Sequence, residues 1–253
     1  MIFDILTIFP DLLESPLQEG IIRQAREKQQ IEVNLTNIRD FATDKHQMTD
    51  DRPFGGGPGM VMKPEPLAAA TKQVKNRSDN GKVILLSPQG LTLNQEKVEK
   101  LASQEHLILV CGRYEGVDTR YVDNYVDEEI SIGDFILTGG ELAAMVIVDA
   151  VIRLLPGVLG CSASHETDTF SRSLLKHSQY TRPREFEGHK VPEALLSGDH
   201  KKINDMRFVE SVDRTIKLRP DLMKETVFSK EELKLLKQHN LLEKYNAVLA
   251  KDE

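Results

Sequence analysis

The sequence predicts an α/β domain built on a parallel sheet, followed by a small, mainly helical domain. Two observations predict it. Over residues 1–160, short β-rich apolar runs alternate with helical patterns, as in strands joined by crossover helices. After Gly157 the texture changes: 160–190 is rich in Ser, Thr, His and Pro with no sustained period, and only helical patterns come after it. A first domain over 1–160, a linker over 161–172 and a second domain over 173–253 are expected from that change.

Taken in order, Phe3-Asp4-Ile5-Leu6-Thr7-Ile8-Phe9 reads as a buried strand, and Pro10 opens a helix expected to run to Arg26. Segment 31–38, with Ile31, Val33 and Leu35 alternating, is a second strand, and 82–87 a third. Asn94 caps a helix expected to reach Ala102. Segments 106–111 and 129–132 are the fourth and fifth strands. A nearly all-apolar helix over 141–155 is stopped by Pro156-Gly157. In the second half, 201–218 is a helix ended by Arg219-Pro220. Ser229 followed by Glu232 has the form of a capping box, and a last helix starts near Leu241.

With 253 residues, 40% hydrophobic and 29% charged, the chain has the make-up of an ordinary globular protein. The longest apolar stretch, 142–155, is broken by Asp149 and Arg153, so no membrane span is expected. Met1-Ile2-Phe3-Asp4 has no basic region before an apolar core, so no secretion signal is expected. Cys111 and Cys161 form neither a metal-ligand nor a redox spacing, and a reducing cytoplasm fits them best.

The net charge of −7 argues at first against a nucleic-acid partner, but its distribution does not. Residues 1–160 carry 16 basic and 24 acidic side chains; 161–253 carry 17 and 16. Within 172–219 there are 11 basic against 7 acidic, with three histidines besides. Such a stretch suits a phosphate backbone, although charge alone suits a solvated helical face equally well.

Four glycine-bearing loops stand out. Asp50-Asp51-Arg52-Pro53-Phe54-Gly55-Gly56-Gly57-Pro58-Gly59-Met60 is neither a P-loop, since no Gly-Lys-Ser/Thr follows, nor a Rossmann loop, since no Gly-x-Gly-x-x-Gly joins the first strand to its helix. Ser87-Pro88-Gln89-Gly90 and Cys111-Gly112-Arg113-Tyr114-Glu115-Gly116 sit at the carboxyl ends of expected strands. Ser131-Ile132-Gly133-Asp134-Phe135-Ile136-Leu137-Thr138-Gly139-Gly140-Glu141 leads into the apolar helix. Ligands of open parallel sheets bind outside the carboxyl ends of strands, and these loops would suit a flat polar group such as adenine.

These four motifs, together with Pro156-Gly157-Val158-Leu159-Gly160, Tyr180-Thr181-Arg182-Pro183 and Val191-Pro192 followed by Leu195-Leu196-Ser197-Gly198, resemble the bacterial tRNA (guanine-N1) methyltransferase family. The resemblance covers roughly residues 1–225. It implies a knotted parallel-sheet domain of the SPOUT type, a homodimer with each active site at the subunit interface, and S-adenosylmethionine as methyl donor. The substrate it implies is guanosine 37 of tRNAs in which a second G precedes it. Carried over by motif, the cofactor site would comprise Leu86, Ser87 and Pro88, then Gly112, Arg113, Tyr114 and Glu115. Ser131, Ile132, Gly133, Asp134, Phe135, Ile136, Leu137, Gly139 and Gly140 would complete it. Mg²⁺ is implied as an assistant, with Glu115 and Asp118 among several candidate ligands and none singled out.

N1 of guanine is protonated at neutral pH, so a carboxylate must take its proton. Asp168 matches the family's catalytic acid, and Arg153 matches the arginine that would stabilise charge on O6. On local grounds alone, Asp168 could equally cap a helix starting at Thr169, and Arg153 could satisfy a helix C-terminus.

Three departures from the family pattern stand out. Ser173-Leu174-Leu175-Lys176-His177-Ser178 stands where Gly-Leu-Leu, an acid and a Pro are common; Ala143 replaces a Pro; Met206 replaces a frequent Trp. Lys176, inside the basic stretch, either adds a phosphate contact that relatives lack or stands as a solvated lysine beside the linker. Two other functions compete: a knotted methyltransferase acting on ribosomal RNA or a ribose, which would lack the Asp168–Arg153 pair, and an RNA-binding protein that has lost turnover, which would lack intact cofactor loops.

Overall fold

The computed structural model describes residues 1–78, 80–159, 168–170 and 172–250. The chain divides into two compact units, Met1–Ser162 and Ala163–Glu253. Gly160, Cys161 and most of the linker expected over 161–172 lie outside the described residues.

The first unit begins with β1 (Ile2–Thr7), α1 (Asp11–Leu17), α2 (Gly20–Glu27) and β2 (Glu32–Asn37). A short hairpin, β3 (Asp50–Asp51) and β4 (Val61–Met62), precedes α3 (Pro64–Lys75). Then come β5 (Lys82–Thr92), α4 (Gln95–Ala102), β6 (His106–Cys111), α5 (Thr119–Tyr125), β7 (Glu128–Ser131) and α6 (Glu141–Ile152). Five strands form one sheet in the order β2-β1-β6-β5-β7, every pair parallel. All six residues of β6, the middle strand, are buried, as a parallel strand covered on both faces requires.

Alternation along the strands separates two cores. Phe3, Ile5, Ile84, Leu107 and Leu109 face Leu13, Ile22, Leu101, Ile147 and Val151 of α1, α2, α4 and α6. Their neighbours Leu6, Val83, Leu85, Ile108 and Val110 face Leu67, Ala70 and Val74 of α3 and Tyr121 of α5. Asp4, mid-strand and buried, is held by His106 Nε2 at 2.7 Å and Arg77 Nη1 at 2.9 Å.

Several elements depart from the sequence expectation, three of them for a clear local reason. The single helix expected from Pro10 to Arg26 is two: Pro16 lacks the N–H that would continue the ladder, and Gly20 takes φ +59 at the break. Strand β5 runs on past residue 87, because Leu86 and Leu91 both pair with Ile130 and the intervening Ser87-Pro88-Gln89-Gly90 loops out. Helix α6 ends at Ile152, three residues before Leu155; the bonds Leu154 N–H to Val151 O and Leu155 N–H to Ile152 O tighten the chain ahead of Pro156.

The second unit holds a two-stranded hairpin, β8 (Glu185–Phe186) and β9 (His189–Lys190), then α7 (Glu193–Leu196), α8 (His200–Leu218), α9 (Lys230–Gln238) and α10 (Leu242–Leu249). Its core joins Leu174, Val212, Met223, Leu236 and Leu241, flanked by edge-to-face contacts of Phe228 with Phe208 and Tyr245. Asp199 Oδ1 caps α8 by accepting from Lys202 N–H, and Ser229 with Glu232 closes the expected capping box on α9.

Candidate active site

The loop bulging out within β5 and the loops leaving the carboxyl ends of β6 and β7 enclose a cavity of about 600 Å³, within the span of small-molecule sites, about 300–1,000 Å³. Every residue expected to hold the cofactor lines it except Asp134. Gln89 and Thr138 line it as well.

Two of these loops are locked together. Gly140 N–H donates to Gly112 O at 2.9 Å, and Arg113 bridges Gly139 in antiparallel fashion. The Arg113 side chain lies over the glycine pair and ends on Glu141: Nε is 3.0 Å and Nη2 2.9 Å from Oε2. Its Nη1 donates to Thr138 O at 3.1 Å, and the guanidinium carbon stands 4.5 Å from the centre of the Phe9 ring. Glu141, 1% exposed, accepts a further hydrogen bond of 2.7 Å from Thr7 Oγ1. The close approach explains the two glycines. A Cβ at 139 would collide with the Arg113 side chain, and one at 140 would come 2.8 Å from Cys111 Cα.

Arg113, expected to touch the cofactor, therefore lines the cavity while its charge is turned onto Glu141. Thr7, Phe9 and Glu141 carry this wall, and the sequence reading assigned none of them a role. The signal available was an acid at the start of an otherwise apolar helix. Below the wall, burial, and after it the Glu141 carboxylate, pushes the Cys111 thiol well above its ordinary range.

On the β7 side, Ser131 Oγ accepts from Gly133 N–H at 3.1 Å, and Phe135 N–H bonds Gly133 O at 2.9 Å, shaping a tight turn. Phe135 and Ile136 stand exposed beside the cavity. Tyr114 adopts φ +60, and partial burial, then Asp50, raises its phenol.

The glycine-rich loop lies outside the cavity lining and is hydrogen-bonded to a loop that lines it. Glu115 N–H bonds Met60 O at 2.9 Å and Met62 N–H bonds Gly116 O at 2.9 Å. Gly55, Gly56 and Gly57 all take positive φ, which accounts for the unbroken glycine run. Among the described residues, no group of three or more His, Cys, Asp or Glu side chains could hold a metal ion. Asp118, a candidate Mg²⁺ ligand, is engaged by Arg120 at 2.7 Å.

Arg153 is the exposed C-cap residue of α6 and does not line this cavity; a cation there also complements the helix's negative end. Asp168 lies in the second unit, in a groove of about 810 Å³ shared with Arg172, Lys176, His177, Lys201 and Arg207. No helix starts at Thr169: Phe170 has φ +75, so the capping role is closed to Asp168 there. Lys176 Nζ sits 2.9 Å from Asp168 Oδ1, an ion pair where a phosphate contact or a solvated lysine was expected. Ser173, where a glycine was expected by resemblance, takes the left-handed φ of +52 that a glycine suits.

The family model described as tRNA (Guanine-1)-methyltransferase TrmD matches residues 1–225. Among similar proteins, one from Citrifermentans bemidjiense is 54% identical over 93% of this chain and 94% of its own length. One from Geobacter metallireducens is 50% identical over 93% and 96%, and one from Bacillus cereus 50% over 94% and 98%. Each of the three is described as a tRNA (guanine-N(1)-)-methyltransferase.

Proposed function

The chain belongs to the tRNA (guanine-1)-methyltransferase family, and from that premise we propose that it transfers a methyl group from S-adenosylmethionine to N1 of guanosine 37, beside the anticodon. The observation that carries the reading is the single cavity where Leu86, Ser87 and Pro88, Gly112 and its neighbours, and the Ser131-to-Gly140 loop meet. Its glycine-lined wall lets backbone approach a flat ligand, and Leu86, Ile132 and Leu137 supply apolar contact, so the residues present fit an adenosyl group.

When bound, S-adenosylmethionine supplies an activated methyl whose sulfur keeps the electron pair of the bond that breaks. The protein's work is then alignment and proton removal. In the proposed roles the Asp168 carboxylate accepts the N1 proton, and the Arg153 guanidinium stabilises the charge that spreads to O6. Glu115 and Asp118 do not gather into a cation site among the described residues, and no step is routed through Mg²⁺.

The proposal extends to a knotted path for the first domain, 1–160, a linker over 161–172, a tRNA-binding role for 173–253, and action in the cytoplasm. Among the described residues no helix is long and apolar enough to cross a membrane. It also includes a homodimer with shared sites. Leu142 and Val146, one turn apart on α6, are 55% and 45% exposed, and Leu12 of α1 is 48% exposed, an apolar surface suited to a second copy.

The test is transfer of a labelled methyl group to unmodified tRNA with guanosines at 36 and 37, followed by mapping of the modified base. Label at N1 of guanosine 37, lost when residue 36 is changed, is expected. Label on ribose, on another RNA only, or nowhere would overturn the proposal.

A further inference from the structure

We infer that Lys176 is a positioning residue that holds the Asp168 carboxylate in its working orientation, an inference that rests on the proposed role of Asp168 as base. Residues 168 and 176 stand at the two ends of a folded-back segment. Phe170 N–H donates to Leu174 O at 3.1 Å, and Lys176 N–H donates to Thr169 Oγ1 at 3.2 Å. Phe170 and Ser173 both take positive φ angles.

The Lys176 end is fastened to the helical core. Leu174 is buried in that core, and Leu175 N–H donates at 2.9 Å to Oγ1 of the fully buried Thr215. Ser173 O accepts from Thr226 Oγ1 at 3.2 Å. The ammonium thus extends from an anchored backbone and meets Asp168 Oδ1 at 2.9 Å. Both side chains remain about one-third exposed to the groove, 35% and 33%, so the pair faces the space a substrate would enter.

An exposed ion pair contributes little to folding, about 0–1 kcal/mol. Its value here is geometric. A carboxylate that must meet one proton on a rigid base works only if its orientation is fixed. A lysine ammonium, with three donors on a flexible stem, can hold Oδ1 from the anchored side of the fold. This also revises the phosphate contact that the sequence left open for Lys176. An ammonium already paired with a carboxylate adds little net charge for an RNA backbone to meet.

The test compares the full-length wild type with Lys176→Met, Lys176→Gln, Lys176→Arg and Asp168→Asn, on unmodified tRNA. Lys176→Met is expected to lower kcat about tenfold, up to the hundredfold that an ångström of misplacement can cost. KM for tRNA, S-adenosylmethionine affinity, melting temperature and the log–log salt slope of tRNA binding should stay unchanged. Lys176→Gln should behave as Lys176→Met does, and Lys176→Arg should restore most of the rate. Adding Lys176→Met to Asp168→Asn should cost nothing further, because the two act as a unit.

Wild-type kcat in Lys176→Met and Lys176→Gln, beside a slow Asp168→Asn, overturns this inference alone. So does a slope flattened by about one unit with kcat intact, which would make Lys176 a phosphate contact. Near-normal turnover by Asp168→Asn overturns the base assignment, and this inference with it.

Discussion

Arg113 and Glu141 form a nearly closed ion pair that ties two walls of the cavity together, with Arg113 Nη2 and Nε 2.9 and 3.0 Å from Glu141 Oε2. The Arg113 side chain is 14% exposed and that of Glu141 2%, so the pair is largely shielded from water. Thr7 Oγ1 at the end of β1 depends on the same carboxylate. The end of β1, the loop leaving β6 and the start of α6 are therefore registered through one acid.

Glu141→Ala should accordingly damage both stability and ligand binding. Removing one partner of a buried pair costs about 3–5 kcal/mol, and the slight exposure of Arg113 points to the lower end. Urea unfolding should show that loss, and calorimetry should show S-adenosylmethionine affinity reduced at least tenfold at a temperature where the variant is folded. Unchanged affinity in the folded variant would separate the clamp from the ligand site.

Legibility from sequence divided along physical lines. Buried parallel strands such as β6 announce themselves as unbroken apolar runs, and the glycine loops at their ends mark close backbone approach. Helices α3 and α5 are not legible in the sequence. The first opens Pro64-Glu65-Pro66, which reads as loop, and the second is seven residues long with only Tyr121 buried. The Arg113–Glu141 clamp joins residues 28 apart in sequence and has no local period. The Lys176–Asp168 pair depends on left-handed backbone at Phe170 and Ser173, residue types that do not advertise it.

Stability should fall at alkaline pH through Tyr121. Its ring is fully buried between α3 and the sheet, its hydroxyl lies 2.7 Å from Thr71 Oγ1, and burial pushes the phenol up to about 12. An unfolded tyrosine ionises near 10. Between those values the unfolded chain binds fewer protons than the folded one. This group's contribution is therefore full below about pH 10 and is lost as pH rises toward 12, by about 1.4 kcal/mol per unit. Tyr121→Phe should be about 1 kcal/mol less stable at neutral pH and lose less stability per pH unit above 10. Equal pH slopes in urea unfolding of the two proteins would remove Tyr121 from the account.

Shared sites can be tested by mixing. Arg153 lies in the first unit and Asp168 in the second, so a site completed across two protomers would draw one residue from each. Arg153→Ala and Asp168→Asn are each expected to be nearly inactive. In mixed dimers one site would then hold both intact residues, and after statistical exchange about a quarter of wild-type activity should return. Absence of recovery, with subunit exchange proven by mass labelling, would place both residues of a site in one protomer.

The cations of the second groove should not contribute equally to tRNA binding. Arg172 is 3.0 Å from Glu232, and Lys176 is 2.9 Å from Asp168, so their charges are largely answered within the protein. Lys201 and Arg207 line the same groove from α8, both exposed, with no acidic partner among the described residues. A phosphate meeting either one releases a condensed counterion, which makes binding salt-dependent whatever the base sequence. Lys201→Ala and Arg207→Ala should therefore each weaken tRNA binding at low salt and flatten the log–log salt slope by about one unit. S-adenosylmethionine affinity should not change, because the cavity proposed for it lies wholly in the first unit. Fluorescence anisotropy of labelled tRNA across a salt series measures both slopes directly. A slope that flattens for Lys176→Met and not for Lys201→Ala or Arg207→Ala would reverse the assignment of paired and unpaired cations in this groove.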